Sequence, residues 1–245
     1  MKAYLWAVLL VGALITAGAQ SPSGLDHALN EAPPGPEFSG YLSQLFADNP
    51  AFTAVLDYHS YGATSGNVVT VQGKLAYLNG NTRFETDLAS AGDANLPLQD
   101  AASLTLLGMN TLIAISRPAE KVNYFIYPGM AAYVRRSTPA VAHYSLEVTQ
   151  IGDENVQGQN CVKNKVVATG PDGVPHASTV WNATDLNNFP IKIKTVQKGS
   201  TVILLFRDLK LEAPDAGQFN PPAAYKQYDN FMSLMTNRAG TQTAR

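Results

Sequence analysis

The chain has 245 residues, of which 17 are basic and 19 are acidic, so its formal net charge at pH 7 is −2. No basic cluster is larger than Arg135-Arg136, which argues against a nucleic-acid partner. The length suffices for one large core or two small ones, and a single cysteine, Cys161, excludes an internal disulfide framework.

The first 19 residues have the pattern of a secretory signal peptide. Lys2 supplies a minimal positive charge, residues 3–16 are apolar, and Ala17-Gly18-Ala19 is a small-x-small cleavage site. The apolar stretch is shorter than the roughly 20 residues that span a bilayer, and a retained membrane anchor is the alternative interpretation. We therefore expect a periplasmic or secreted protein that is cleaved after Ala19.

The remaining sequence divides by composition. Residues 20–36 are rich in proline, glycine, serine and alanine and are predicted to form a flexible leader. A single domain is predicted over residues 37–237 and a frayed tail over residues 238–245.

The predicted domain opens with a short amphipathic helix over residues 37–47. Strands with alternating apolar and polar residues follow, and Asn79-Gly80 is a strong signal for a two-residue hairpin. Residues 89–99 are predicted as a loop, and residues 100–109 as a helical turn.

The second half of the chain continues as strands separated by turns. Pro190–Val196 and Thr201–Phe206 predict a hairpin with Gly199 in its turn, and Phe219-Asn220-Pro221-Pro222 is predicted to end the sheet. The residues from Ala223 onward have helical spacing.

About eleven strands succeed one another without long helices between them, which predicts one antiparallel meander rather than βαβ units. The predicted fold class is mainly β with a few short helices: a large curled antiparallel sheet, unclosed like a half-barrel and covered by a helical lid.

Residues that could carry chemistry are scattered along the chain. The four histidines, His27, His59, His143 and His176, have no second ligand at metal spacing, so surface histidines are predicted rather than a metal site. No nucleophile elbow, phosphate loop or dinucleotide motif is present in the sequence, and no cofactor is expected.

Three further features of the sequence have both a structural and a functional interpretation. Cys161 shares strand parity with two lysines that could lower its pKa, although a small half-buried residue is preferred. Asp57, Glu85 and Asp87 lie on neighbouring strands, where surface carboxylates occur routinely without catalysis. The tyrosines of one predicted hairpin are interpreted as cross-strand stacking rather than a ligand platform; they are Tyr124, Tyr127 and Tyr133.

Several stretches together resemble the outer-membrane lipoprotein-sorting (LolA-like) superfamily, especially its poorly characterised single-domain periplasmic branch. The stretches are Ala51-Phe52-Thr53-Ala54, Gly73-Lys74-Leu75-Ala76-Tyr77 with Thr82-Arg83-Phe84-Glu85, Tyr124-Phe125-Ile126-Tyr127-Pro128 with Ala132-Tyr133-Val134, residues 156–163, Trp181, Phe189-Pro190-Ile191-Lys192, and Phe219-Asn220-Pro221-Pro222-Ala223-Ala224-Tyr225. The resemblance implies an unclosed β-barrel with a helical lid and an apolar interior that receives acyl chains.

The leading hypothesis is a non-enzymatic, monomeric periplasmic protein that binds a lipid, the acyl chain of a lipoprotein or another apolar ligand. The candidate cavity walls are the large apolar strand residues Phe52, Leu56, Leu75, Tyr77, Phe84, Ile126, Trp181 and Ile193. The same residues would equally fit a core without a ligand. One alternative is an envelope module that docks a partner protein through a sheet edge or Arg135-Arg136, and a more distant one is a hydrolase that uses Asp57 or Cys161.

Overall fold

The computed structural model describes residues 40–62, 68–88, 102, 104–197 and 199–242. Within these ranges the chain forms one sheet of twelve strands, in the order β12-β6-β5-β4-β3-β2-β1-β11-β10-β9-β8-β7. The strands are β1 Ala51–Tyr61, β2 Val68–Leu78, β3 Asn81–Asp87, β4 Thr111–Arg117, β5 Val122–Tyr127, β6 Ala132–Ser137, β7 Ser145–Val156, β8 Gln159–Thr169, β9 Pro175–Ala183, β10 Phe189–Gln197, β11 Ser200–Lys210 and β12 Lys226–Tyr228. The prediction of a mainly β, antiparallel and unclosed sheet is confirmed; the predicted signal peptide and leader lie outside the described residues.

The strand order differs from the predicted single meander. Strands β1–β6 form one meander and β7–β11 a second, and the two are joined by antiparallel pairing of β1 with β11, with Tyr61 opposite Thr201. The segment between β6 and β7 therefore connects opposite ends of the sheet. The alternation of apolar and polar residues shows that a segment is a strand but not which distant strand it pairs with. The pairing of β1 with β11 was therefore not predicted from the sequence.

The tight turns agree with the predictions. Asn79 and Gly80 have φ angles of 49° and 88° between the paired residues Leu78 and Asn81, as a two-residue hairpin of type I′ requires. Gly199 has a φ of 77° in the hairpin between β10 and β11.

The predicted helical lid is not confirmed. In the described part of the predicted first helix, only α1 (Tyr41–Gln44) is α-helical, because Gly40 precedes it with a φ of 67° and residues 45–48 form turns. The second helix, α2 (Phe231–Gln242), extends into the predicted tail. Between them, residues 104–106 are helical, as predicted for a short turn.

Two apolar clusters lie on one face of the sheet, called here the front face. The large front cluster joins α1 to strands β1, β2, β3 and β7–β11, and includes Phe52, Leu75 and Phe206. The small front cluster joins β4, β5 and β6 to α2 through Leu234. Burial of both clusters supplies the main driving force for the fold.

A third cluster, the back cluster, lies on the opposite face of β2, β4 and β5. It contains Ala76, Ile115 and Ile126, and Phe219 from the 3-10 turn Ala216–Phe219 covers it. The chain then continues into β12, which pairs in parallel with β6. The prediction that the sheet ends at residues 219–222 is therefore wrong, because the chain adds one more short strand, Lys226–Tyr228, after the prolines.

Candidate apolar ligand-binding site

Phe46 is the residue that fills the centre of the large front cluster. Its side chain is 0% exposed, and its ring centroid lies 5.2 Å from that of Phe52, 5.4 Å from Tyr77 and 5.6 Å from both Phe189 and Phe206. The rings are tilted or edge-on to one another, which are the favourable aromatic geometries. A residue from the segment after α1 thus occupies the most apolar position on the front face.

Tyr41 anchors this segment to the sheet through its hydroxyl group. The Tyr41 oxygen lies 2.9 Å from Ser178 Oγ and 2.7 Å from Thr195 Oγ1, and both partners are buried. These hydrogen bonds satisfy polar groups that would otherwise be buried without a partner. Tyr41 also stacks on His176, with ring centroids 5.9 Å apart.

Gln44 holds the other side of the same segment. Its Oε1 accepts a hydrogen bond from the backbone N–H of Tyr144 at 3.1 Å, and its Nε2 donates to the Tyr144 carbonyl at 3.2 Å. A primary amide here pairs with a backbone unit as a neighbouring strand would. We call residues 41–46 the cover; its α-helical part is a single turn, fixed by two polar side chains and its buried apolar ones.

Buried tyrosines border both front clusters. Burial raises the pKa of Tyr77, whose hydroxyl donates to the carbonyl of Ser43 in the cover at 3.3 Å. Burial likewise raises the pKa of Tyr127, next to Phe231 of α2. Neither phenol ionises near neutral pH, so both act as neutral, largely apolar walls.

The eight predicted cavity residues are all buried, but they do not share one surface. Seven of them belong to the large cluster, and six of these face the front: Phe52, Leu56, Leu75, Tyr77, Phe84 and Ile193. Trp181 packs at the margin of the same cluster, but the register of β9 turns its side chain to the opposite face, next to Lys163 and Lys192. Ile126 instead lies in the back cluster, because β5 places Phe125 and Tyr127 on the front face. Phe46, Phe189 and Phe206 were missed, although their aromatic character and apolar context were visible in the sequence.

Trp181 sits within a small polar network at the margin of the sheet. Its Nε1 donates to Glu154 Oε2 at 2.9 Å, and the same oxygen accepts from Lys163 Nζ at 2.9 Å. The ammonium groups of Lys163 and Lys192 lie 5.1 and 4.3 Å from the centre of the ring. Cation–π contacts at these distances stabilise the tryptophan beneath two lysine side chains.

Cys161 is buried and fits the preferred interpretation of a structural residue. Burial raises the pKa of the thiol, and the nearby Glu154 carboxylate adds to this effect; together they outweigh the opposing effects of a backbone hydrogen bond with Val156 and of Lys192. A raised pKa does not support the alternative of a thiol activated by lysines, since the thiolate is the reactive form. A shallow depression of about 370 Å³ beside Cys161 is bordered mainly by polar residues.

Two of the three carboxylates singled out in the sequence, Asp57 and Glu85, each pair with an arginine. Both oxygens of Asp57 accept hydrogen bonds from Arg207, at 2.7 and 2.8 Å, while Glu85 pairs with Arg83 at 2.7 Å. Burial would raise the pKa of Asp57, but hydrogen bonds from Arg207 and Gln72 outweigh it and hold the pKa below its ordinary value. Asp57 is therefore the ionised partner of an ion pair.

The Asp57–Arg207 pair predicts a pH-dependent stability. The folded-state pKa of Asp57 lies below its ordinary value of 3.8, so its contribution is complete above that pH and is lost as the pH falls through the folded pKa. We expect Asp57→Asn to be less stable than the wild type at pH 7, with the difference shrinking below pH 3.8 in urea-unfolding measurements. Asp185→Asn, at an exposed turn position, is the control and should run parallel to the wild type; a constant Asp57→Asn difference down to the lowest pH would contradict the prediction.

Three of the four histidines and the three hairpin tyrosines lie in the described part of the chain, and His27 lies outside it. His59 bonds Thr70 Oγ1 at 3.1 Å, His143 is exposed, and no group of three metal-ligating side chains occurs among the described residues. Tyr124 and Tyr133 stack edge-on at 5.9 Å, which confirms cross-strand packing. Tyr127 lies on the opposite face and takes no part in it.

In the part of the chain that the structure describes, no helix is long and apolar enough to cross a membrane. No protein-family model matches the sequence, and no curated protein matches it significantly.

Solved structures similar to the chain include LolA superfamily and lipoprotein-sorting proteins. A LolA superfamily protein from Nitrosomonas europaea is 8% identical and has a TM-score of 0.37, over 73% of this chain and 96% of that chain. The Mycobacterium tuberculosis lipoprotein LppX is 9% identical and has a TM-score of 0.39, over 70% of this chain and 98% of that chain. LprF from Mycobacterium bovis is 12% identical and has a TM-score of 0.37, over 74% of this chain and 93% of that chain. Identities and TM-scores this low assign neither a family to the chain nor a function to any of its residues.

Proposed function

We propose that the chain is an exported, non-enzymatic binding protein that holds a lipid, a lipoprotein acyl chain or another apolar ligand against the front face of its sheet. The observation that carries the proposal is the cover: the centre of a large aromatic cluster is filled by Phe46, from a segment with only one helical turn. A ligand that displaces Phe46 finds a ready-made apolar surface.

The energies of such an exchange are balanced closely enough for it to occur. Exposing a phenylalanine side chain costs about 1.5–3 kcal/mol, and each methylene group that a ligand buries returns about 0.8 kcal/mol. About two to four buried methylene groups therefore offset the loss of Phe46 from the cluster. The hydrogen bonds of Tyr41 and Gln44 contribute roughly 1 kcal/mol each and keep the cover closed without a ligand.

The test combines native mass spectrometry with uptake of a fluorescent fatty acid. Wild-type protein purified from its host should carry bound lipid, and delipidated protein should take up the probe. Tyr41→Phe removes the hydroxyl that holds the cover, so we expect faster uptake together with a loss of stability of about 1–3 kcal/mol.

Tyr61→Phe is the matched control, because Tyr61 is 39% exposed and lies outside the cover. It should leave both uptake and stability unchanged. Lipid-free wild-type protein that also takes up no probe would remove the carrier proposal.

A second candidate function, docking of an envelope protein, is favoured by β7. This twelve-residue strand forms one end of the sheet, is exposed over most of its length and presents Val148 with 60% of its surface accessible. An edge of this kind can accept an extended segment of another protein. Lipid-free protein whose binding to an envelope protein is lost on Val148→Glu would support this function over the first.

A further inference from the structure

The back face of β8 and β10 carries a concentration of positive charge. In β10, Lys192 and Lys194 alternate with the buried front residue Ile193. In β8, Lys163 and Lys165 lie two residues apart on the same face as the lysines of β10. We call these four residues the lysine patch: Lys163, Lys165, Lys192 and Lys194. It lies on a chain whose overall net charge is −2.

The strand register defines the layout of the lysine patch. Strand β9 runs between the two lysine-bearing strands, and it places Trp181 between one pair of lysines and Thr179 between the other. Neighbouring strands are about 4.8 Å apart and alternate residues of a strand about 6.7 Å, so the four residues outline a rectangle of roughly 7 by 10 Å. This is a flat array of charges rather than a pocket.

One carboxylate, that of Glu154, compensates part of this charge, since it interacts with Lys163 and, more weakly, with Lys192. Glu154 pairs with Lys163 at 2.9 Å. Among the carboxylates that the structure describes, none lies within salt-bridge distance of Lys165, Lys192 or Lys194. Lys165 and Lys194 are exposed. The patch therefore presents an unbalanced positive potential to the solvent.

Exposed apolar side chains lie next to the lysine patch, near the ends of strands β10 and β1. Val196 follows Lys194 on the same face and is 62% exposed. It lies opposite Thr201, which in turn pairs with Tyr61 of β1. Lysines next to an exposed valine and tyrosine match the composition of surfaces that lie at a membrane interface.

We propose that the lysine patch and its apolar margin, Val196 and Tyr61, form a docking surface for membranes that contain anionic phospholipid. Acidic headgroups complement the four lysines, and the apolar margin enters the boundary between headgroups and acyl chains. An acidic protein segment would pair with the lysines but would offer no apolar contact for the exposed side chain of Val196. The proposal goes beyond ligand binding, because it concerns the back face and holds whether or not the front face carries a lipid.

The test is co-sedimentation of the full chain with phosphatidylcholine vesicles, with and without phosphatidylglycerol, at low and high salt. We expect binding only to the phosphatidylglycerol vesicles, and weakening by salt. Each lysine near an anionic surface changes the affinity roughly fivefold, so Lys165→Gln/Lys194→Gln should bind about 25-fold more weakly. Val196→Ser should weaken binding without changing its salt dependence.

Lys74→Gln/Lys210→Gln is the matched control, since both lysines are exposed elsewhere on the sheet and the charge change is identical. It should alter the affinity less than about twofold. Equal losses in the two double variants, or wild-type binding to soluble polyglutamate but not to vesicles, would overturn the proposal. Uptake of the fluorescent fatty acid should be the same in all of these variants, which separates a failure of docking from a failure of ligand binding.

Discussion

Replacing Phe46 by alanine is expected to lower the free energy of unfolding by about 3–5 kcal/mol. The ring is completely buried, and its centroid lies within 5.6 Å of four other aromatic rings, so the substitution removes apolar burial and leaves a cavity among rings held by four different strands. The cover would also lose its main apolar contact with the sheet. Chemical denaturation monitored by circular dichroism measures the change directly.

Leu211→Ala is the control for this experiment, because Leu211 is exposed beyond the end of β11. It should change the stability by less than about 0.5 kcal/mol. A loss below about 1 kcal/mol for Phe46→Ala would show that the cover is not docked in solution, since substitutions of buried phenylalanine by alanine cost several times more. Full stability combined with rapid probe uptake would indicate a front face that is already open.

Replacing Gly73 by alanine is expected to destabilise the sheet by about 1–3 kcal/mol or more, through overpacking. A Cβ atom at this position would overlap the carbonyl oxygen of Glu85 and lie 2.6 Å from the ring of Phe84. The carbonyl belongs to the paired strand β3 and cannot move without disturbing the ladder between β2 and β3. The midpoint of thermal unfolding should fall accordingly.

Gly217→Ala provides the comparison, because a Cβ atom there meets its nearest neighbours only at ordinary contact distances of 3.4 Å or more. Its stability should stay within about 0.5 kcal/mol of the wild type. The double variant Gly73→Ala/Phe84→Leu should remain destabilised, because the backbone contact persists after the ring is removed. A neutral Gly73→Ala variant would mean that the two strands are farther apart than the structure places them.

These two substitutions probe the two parts of the proposed binding surface. Gly73 allows the ring of Phe84 to lie flat against the front of the sheet, and Phe46 closes the same surface from the side of the cover. A ligand on the front face would replace the contacts of Phe46 and leave the contact between Gly73 and Phe84 intact. Lipid should therefore rescue much of the stability that Phe46→Ala loses and little of what Gly73→Ala loses.

The sequence by itself determined the features that depend on neighbouring residues. Alternation identified the strands, since successive side chains point to opposite faces whatever the strand pairs with. Asn79-Gly80 specified a hairpin because these residue types adopt positive φ at little cost. The parity of Lys192, Ile193 and Lys194 likewise fixed which side chains share a face of β10.

Only the tertiary structure decided the features that depend on long-range pairing. The pairing of β1 with β11 brings Phe52 and Phe206 into one cluster, and the cover then delivers Phe46 to its centre. Ile126 was predicted to line the same surface as these residues, yet the register of β5 turns it to the back. Local periodicity gives the relative sides of residues within one strand, whereas the side that faces each cover is decided by which strands and segments pack together.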